Sequence, residues 1–164
     1  MLAIGISGKR NQGKSAVAIA LASRIERCSI ISVYDIVKFF CDYKNNEDRD
    51  SITEYIRQTR DNFLVDALKV KMSLESSKYS VFIIDDIFDS ILMNQIKKEL
   101  NAQMIGVEKP ALYNLPLKIR DNVAAGILGE PDYIVRYTAN YNELSKEIDA
   151  LMETFKEKGI LAVK

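Results

Sequence analysis

Gly8-Lys9-Arg10-Asn11-Gln12-Gly13-Lys14-Ser15 matches the pattern G-x-x-x-x-G-K-[ST] at every fixed position. Its flanks fit as well. Leu2 to Ile6 is an apolar run that reads as a buried strand. After the loop, Val17, Leu21 and Ile25 recur every four residues with Ala18 and Ala22 beside them, which is helical spacing. Strand, glycine-bounded turn and helix in that order make a phosphate-binding loop, or P-loop. Gly8 and Gly13 allow backbone angles that a side chain would forbid. The loop amides then point inward at phosphate oxygens, and the helix N-terminus adds partial positive charge. Lys14 supplies a full charge to the β- and γ-phosphates of a nucleoside triphosphate, and the Ser15 hydroxyl is the expected ligand of Mg2+. Lys9, Arg10, Asn11 and Gln12 occupy free positions and contribute mainly backbone, with Arg10 also in reach of a phosphate. Ala16 follows them in the cofactor-binding stretch.

The second half of such a site is an acid at the end of a neighbouring strand. Val81-Phe82-Ile83-Ile84 is the strongest strand signal in the chain and ends in Asp85-Asp86. Either aspartate suits a magnesium role, directly or through water. Side chains alternate along a strand, so at most one of the two is expected to face the metal, and the sequence leaves open which.

Other short apolar runs alternate with amphipathic stretches. Cys28 to Val33, Met104 to Val107 and Tyr133 to Val135 read as strands, and Tyr34 to Cys41 as a short helix. Lys44 to Asp50 is polar throughout and reads as a loop. Ser51 with Glu54 has the form of a capping box, opening a long helix, whole or broken, to about Ser77. Ser90 is placed to cap a helix carrying Leu92, Ile96 and Leu100. Asn140 with Glu143 is placed to cap a last helix with Leu144, Ile148, Leu151 and Phe155 on its core face, and Gly159 to end it. The expectation is a three-layer α/β/α P-loop fold, with a mainly parallel sheet of about five strands, covered on both faces. One domain over residues 1–164 is the simplest division. Residues 109–131 hold all three prolines of the chain and are long for an inter-strand connection, which suits a lid over the site or an ordinary helical excursion.

Composition removes several classes. Lys plus Arg equals Asp plus Glu at 23 each, which argues against nucleic-acid binding by bulk charge. Cys28 and Cys41 have no metal-type spacing and the chain has no histidine, so they read as buried thiols rather than zinc ligands. There is no basic leader and no membrane-length apolar run, which reads as a cytoplasmic protein without a membrane partner. The absence of an Asn-Lys-x-Asp guanine signature disfavours a Ras-like GTPase. Small kinases and stand-alone ATPases are left.

The order of motifs resembles the phage-type deoxynucleoside monophosphate kinases of the P-loop nucleoside monophosphate kinase group. Ile4 to Ser15 resembles their opening strand and phosphate loop. Ser32-Val33-Tyr34-Asp35-Ile36-Val37-Lys38 resembles their Ala-Asp-Pro-x-Lys segment. Val81 to Phe88 resembles the strand ending in Asp-Val-Arg-Phe, and Ala102 to Pro110 one ending in Arg-Val-x-Arg-Pro. The resemblance implies ATP and Mg2+ as cofactors, a nucleoside monophosphate as acceptor, and the host cytoplasm as location for a phage-encoded chain. Asp86 then matches the family acid, Lys109 stands for an arginine in the cofactor-binding set, and Lys38 matches a lysine near the acceptor. The chain departs from the pattern at Ile87-Phe88, where the family has an arginine, and in lacking a His-x-Ser-Glu lid segment.

An acceptor phosphate is already a nucleophilic oxyanion, so the chemistry asks for charge cancellation and in-line positioning rather than a strong base. Arginine forks suit that task. Arg57 and Arg60 lie three apart, on one helix face if the helix is unbroken there, and Arg120 lies in the lid candidate. Arg136 follows a strand. Asp35 would be the general base if the acceptor were instead an alcohol. Tyr34, Phe39 and Phe40 suit either a base pocket or the core. The rival readings are a P-loop ATPase acting as a regulatory or assembly module, and a nucleotide-binding module that has lost turnover. Oligomeric state is left open, a homodimer included.

Overall fold

The computed structural model describes residues 1–9, 13–40, 46–108, 128–138 and 140–161. Five strands form one sheet: β1 (Leu2–Ser7), β2 (Cys28–Ser32), β3 (Val81–Ile87), β4 (Gln103–Glu108) and β5 (Tyr133–Arg136). Their order is β2-β3-β1-β4-β5, and each neighbouring pair is parallel. Parallel neighbours require crossovers, and helices supply those described: α1 (Lys14–Ala22), α2 (Val33–Phe40), α3 (Asn46–Thr59), α4 (Phe63–Glu75), α5 (Ser90–Leu100) and α6 (Tyr141–Glu157).

The strand sequences are apolar without a polar alternate because both faces are covered. Ala3, Phe82, Ile84 and Met104 face a core closed by Val33 and Val37 of α2, Leu68 and Met72 of α4, and Leu92 and Ile96 of α5. Ile4, Ile6, Ile83, Ile105 and Val107 face the other, closed by Val17 and Leu21 of α1 and by Leu144, Ile148 and Phe155 of α6. The result is the three-layer α/β/α arrangement, with β1 at its centre and the chain leaving β1 directly into the loop at Gly8.

Several local expectations are corrected. Asn46 to Asp50, read as loop, forms the first turns of α3. A polar stretch suits that place, because polar and acidic residue types are favoured in the first turn of a helix. Ser51 therefore lies inside the helix and makes no capping box with Glu54. The long helix is broken: α3 ends at Thr59, and Arg60-Asp61-Asn62 turn the chain before α4. Asp and Asn favour such turns because their side chains compete for backbone hydrogen bonds. The cap of α5 is Asp89 rather than Ser90, its carboxylate accepting from the Leu92 N–H at 2.7 Å.

Asn140 does cap α6, accepting from the Asn142 N–H at 2.8 Å. Glu143 turns instead to Thr138, accepting from its N–H and its hydroxyl. Gly159, at φ 66°, ends α6. The N–H of Ile160 returns to the Phe155 carbonyl at 2.9 Å and that of Gly159 to Lys156 at 3.0 Å, the paired bonds of a Schellman stop. Among the described residues no helix is long and apolar enough to cross a membrane.

Candidate active site

The carboxyl ends of β1 and β3 meet at the P-loop. Past the end of β1, the Gly8 N–H donates to the Ile87 carbonyl at 3.2 Å, so the loop starts anchored to β3. Gly13 closes the loop as the residue before α1, in a left-handed conformation at φ 84° that needs glycine. Lys14 is the first residue of α1 and is only 8% exposed. Its ammonium donates to the carbonyls of Gly8 at 2.9 Å and Lys9 at 3.0 Å, and lies 3.7 Å from Asp86 Oδ1. The Gly8 and Lys9 carbonyls and the Asp86 carboxylate thus surround a buried cation. Ser15 Oγ donates to Asp85 Oδ2 at 2.7 Å, and Asp85 is itself buried.

Strand alternation predicts that Asp85 and Asp86 diverge, yet both reach the P-loop. The reason is an irregularity in β3. Gly5 pairs with Ile84 and Ser7 with Ile87, so two residues of β3 stand opposite one of β1. Asp86 takes up the extra length at φ 62°, a left-handed geometry that Asp tolerates better than most residues. Its N–H is held by Asp85 Oδ1 at 2.6 Å. The bulge delivers one carboxylate to Ser15 and the next to Lys14.

A hydroxyl and a buried carboxylate converging at 2.7 Å are oxygen donors of the kind a hard divalent cation takes. Among the described residues no group of three or more His, Cys, Asp or Glu side chains is placed to hold a metal ion by itself. A cation at Ser15 and Asp85 would thus take its other ligands from phosphate oxygens and water, as Mg2+ does with a triphosphate.

The remaining sequence candidates are spread out. Lys9, just after Gly8, and Ala16, in the first turn of α1, are both exposed. Arg10, Asn11, Gln12, Lys109 and Arg120 lie outside the described residues, as do Cys41 and most of the lid candidate, residues 109–127. Arg57 is mostly buried and binds Asp89 at 2.8 Å, tying α3 to the start of α5. Arg60 is in the turn after α3, largely exposed, and binds Asp66 at 2.8 Å. The break after Thr59 means the two arginines do not share a helix face. Asp35 is exposed in the first turn of α2, its N–H donating to Ser32 Oγ at 3.4 Å. The Lys38 ammonium lies over the Tyr34 ring, 5.8 Å from its centroid. Tyr34 packs on the core, whereas Phe39 is 85% exposed; the side chain of Phe40 is outside the described set. Arg136, at the end of β5, binds the buried Glu108 at the end of β4 at 2.7 Å.

Sequence reading passed over Tyr137. Its hydroxyl donates to the Gly13 carbonyl at 3.1 Å, and burial raises its pKa above the ordinary phenol value. The signal was present: Tyr137 continues the inward alternation of Val135, two residues on.

No family model matches the chain, and no curated protein does. Among solved structures it is similar to a protein from Chloroflexus aurantiacus J-10-fl described as a "putative kinase". The TM-score is 0.54 with 11% identity, over 95% of this chain and 96% of that one. At that identity the likeness establishes a shared fold.

Proposed function

We propose that this chain binds ATP with Mg2+ on the loop Gly8 to Ser15 and transfers the γ-phosphoryl group to a nucleoside monophosphate. The observation that carries the reading is the meeting of Ser15 with Asp85, 2.7 Å apart, beside Lys14 with Asp86 at 3.7 Å. A P-loop match alone specifies a turn; a buried lysine, a hydroxyl and two strand-end carboxylates gathered at one point support the reading of a place for a charged, metal-bound phosphate chain.

In this reading Lys14 leaves the Gly8 and Lys9 carbonyls to neutralise charge on the transferring group. Ser15 and Asp85 hold the cation, which supplies charge neutralisation to the β- and γ-phosphates. Asp86 orients Lys14. An acceptor phosphate oxygen attacks the γ-phosphorus in line; its new P–O bond forms as the bond to the β-bridging oxygen breaks, leaving ADP. The acceptor class rests on the resemblance to the phage-type deoxynucleoside monophosphate kinases alone; the kinase description of the Chloroflexus protein supports phosphoryl transfer in general. Residues 1–164 would act as one cytoplasmic domain, with 109–131 as its lid and Arg120 and Lys109 as its cations toward the phosphates.

A second reading is favoured by one observation. Arg57 is held by Asp89 and Arg60 by Asp66, and Ile87-Phe88 stand where the family carries an arginine. A chain with its acceptor clamp thus engaged would hydrolyse ATP as a partner-controlled switch, or bind it without turnover.

The test offers purified protein, ATP and Mg2+ each common ribo- and deoxyribonucleoside monophosphate, with ADP and diphosphate both quantified. ADP matched by one diphosphate product establishes the kinase and names its acceptor. ADP with no diphosphate supports the ATPase, and ATP binding without ADP supports the binding module.

A further inference from the structure

Tyr137 touches the phosphate loop without belonging to it. It follows β5, is 6% exposed, and its ring lies in the core between the sheet and helices α1 and α6, among residues such as Val17, Ala18 and Leu144. Its own N–H reaches back to the Glu108 carbonyl at 3.4 Å. Ring and backbone are therefore fixed by the fold before any ligand arrives. The hydroxyl is aimed at one acceptor, the Gly13 carbonyl at 3.1 Å. That carbonyl also accepts the Val17 N–H at 3.3 Å, so donors from α1 and from beyond β5 hold it together.

The consequence follows from peptide geometry. The Gly13 carbonyl and the Lys14 N–H belong to one planar trans peptide and point in opposite directions. Fixing the carbonyl fixes the N–H. The Lys14 N–H is one of the loop amides that must face the phosphates for the cradle to work. Contact at this point is close: a Cβ on Gly13 would lie 1.9 Å from the Tyr137 oxygen. The glycine is required here by the ring as well as by its φ of 84°.

We infer that Tyr137 is a positioning residue for the phosphate cradle: by holding the Gly13–Lys14 peptide it sets the affinity of the loop for a polyphosphate. This rests on the reading that the loop binds a triphosphate. It places a determinant of affinity on the segment joining β5 to α6, far from the loop in sequence. Because the hydroxyl meets the loop backbone, the effect is on phosphate binding and is indifferent to the base.

Tyr137→Phe tests it, since the substitution keeps the ring and removes only the hydroxyl. Calorimetric titrations with inorganic tripolyphosphate and with ATP, each with Mg2+, are run on the full chain, with thermal unfolding beside them. The expected result is a rise in Kd of about threefold to tenfold for both ligands, the scale of one net hydrogen bond. Ile148→Val, which trims the same apolar core, should lower Tm and leave both Kd values alone. Unchanged Kd values in Tyr137→Phe, whatever its Tm, overturn the inference, as does weakening confined to ATP, which would mean a nucleoside contact. Wild-type protein that binds neither ligand overturns the proposed function and this inference with it. Wild-type binding with an indifferent Tyr137→Phe overturns the inference alone.

Discussion

Lys14→Met separates what the loop lysine does for the fold from what it does for a ligand. The residue is 92% buried in effect, being 8% exposed, and its ammonium satisfies two loop carbonyls at 2.9 and 3.0 Å and faces Asp86 at 3.7 Å. At an effective dielectric near 20 the ion pair alone is worth about 4 kcal/mol of Coulomb energy at that distance, before desolvation. Desolvation of both partners and water around Asp86, whose side chain is 18% exposed, reduce the net coupling to about 1–2 kcal/mol. Adding the abandoned carbonyls, Lys14→Met should destabilise the empty protein by about 2 kcal/mol. Urea unfolding reads this as a lower midpoint at unchanged slope. Asn tolerates a left-handed φ as Asp does, so Asp86→Asn removes charge without straining the bulge. The double variant should then be more stable than the sum of the single losses by about 1–2 kcal/mol. Triphosphate binding should be lost in Lys14→Met and should not return in the double variant. A Lys14→Met protein as stable as wild type, or strictly additive losses, would refute the ion-pair argument.

Three further outcomes follow from the geometry. Asp85→Asn should weaken ATP binding in millimolar Mg2+ by about tenfold while leaving binding in EDTA unchanged, because the carboxylate at 2.7 Å from Ser15 acts through the cation; equal losses in both would point to a direct role. Gly5→Ala should cost about 1–3 kcal/mol in urea unfolding, since the new Cβ would lie 2.4 Å from Met104 Sδ and 2.9 Å from Ile87 Cδ1. Burial pushes the Cys28 thiol from 9.0 up to about 11, so in a Cys41→Ser background iodoacetamide should react slowly at pH 8 and faster as pH approaches 11. The fold favours the neutral thiol, so this contribution to stability is whole below pH 9 and is lost as pH rises through 11.

The strand and helix that flank Gly8 to Ser15, the five strands and the two-faced core were legible because each rests on a local pattern. The G-x-x-x-x-G-K-S run fixes its own backbone chemistry, and strands such as Val81 to Ile84 are apolar throughout because a parallel sheet leaves neither face wet. Errors fell where short polar stretches suit two structures. Asn46 to Asp50 serves a loop or a helix N-terminus equally, so its composition does not decide between them. The convergence of Asp85 and Asp86 was hidden for a different reason. A bulge depends on the register between β1 and β3, which are separated by more than seventy residues, and no local pattern records it. Arg57 and Arg60 looked alike at three residues apart, but Asp89 and Asp66 divide them across a helix break. Tyr137 was visible only as one more inward residue; its bond to Gly13 spans 124 positions.

The central claim is that Gly8 to Ser15, with Asp85 and Asp86, forms a magnesium-dependent triphosphate site. Calorimetric titration of the full chain with ATP, ADP and AMP, each with Mg2+ and with EDTA, tests it most directly. The expected result is one ATP per chain, with affinity falling from ATP to ADP to AMP, weakened by EDTA and abolished in Lys14→Met. ATP binding that persists unchanged in Lys14→Met, or no binding of ATP by the folded wild-type protein, would contradict it.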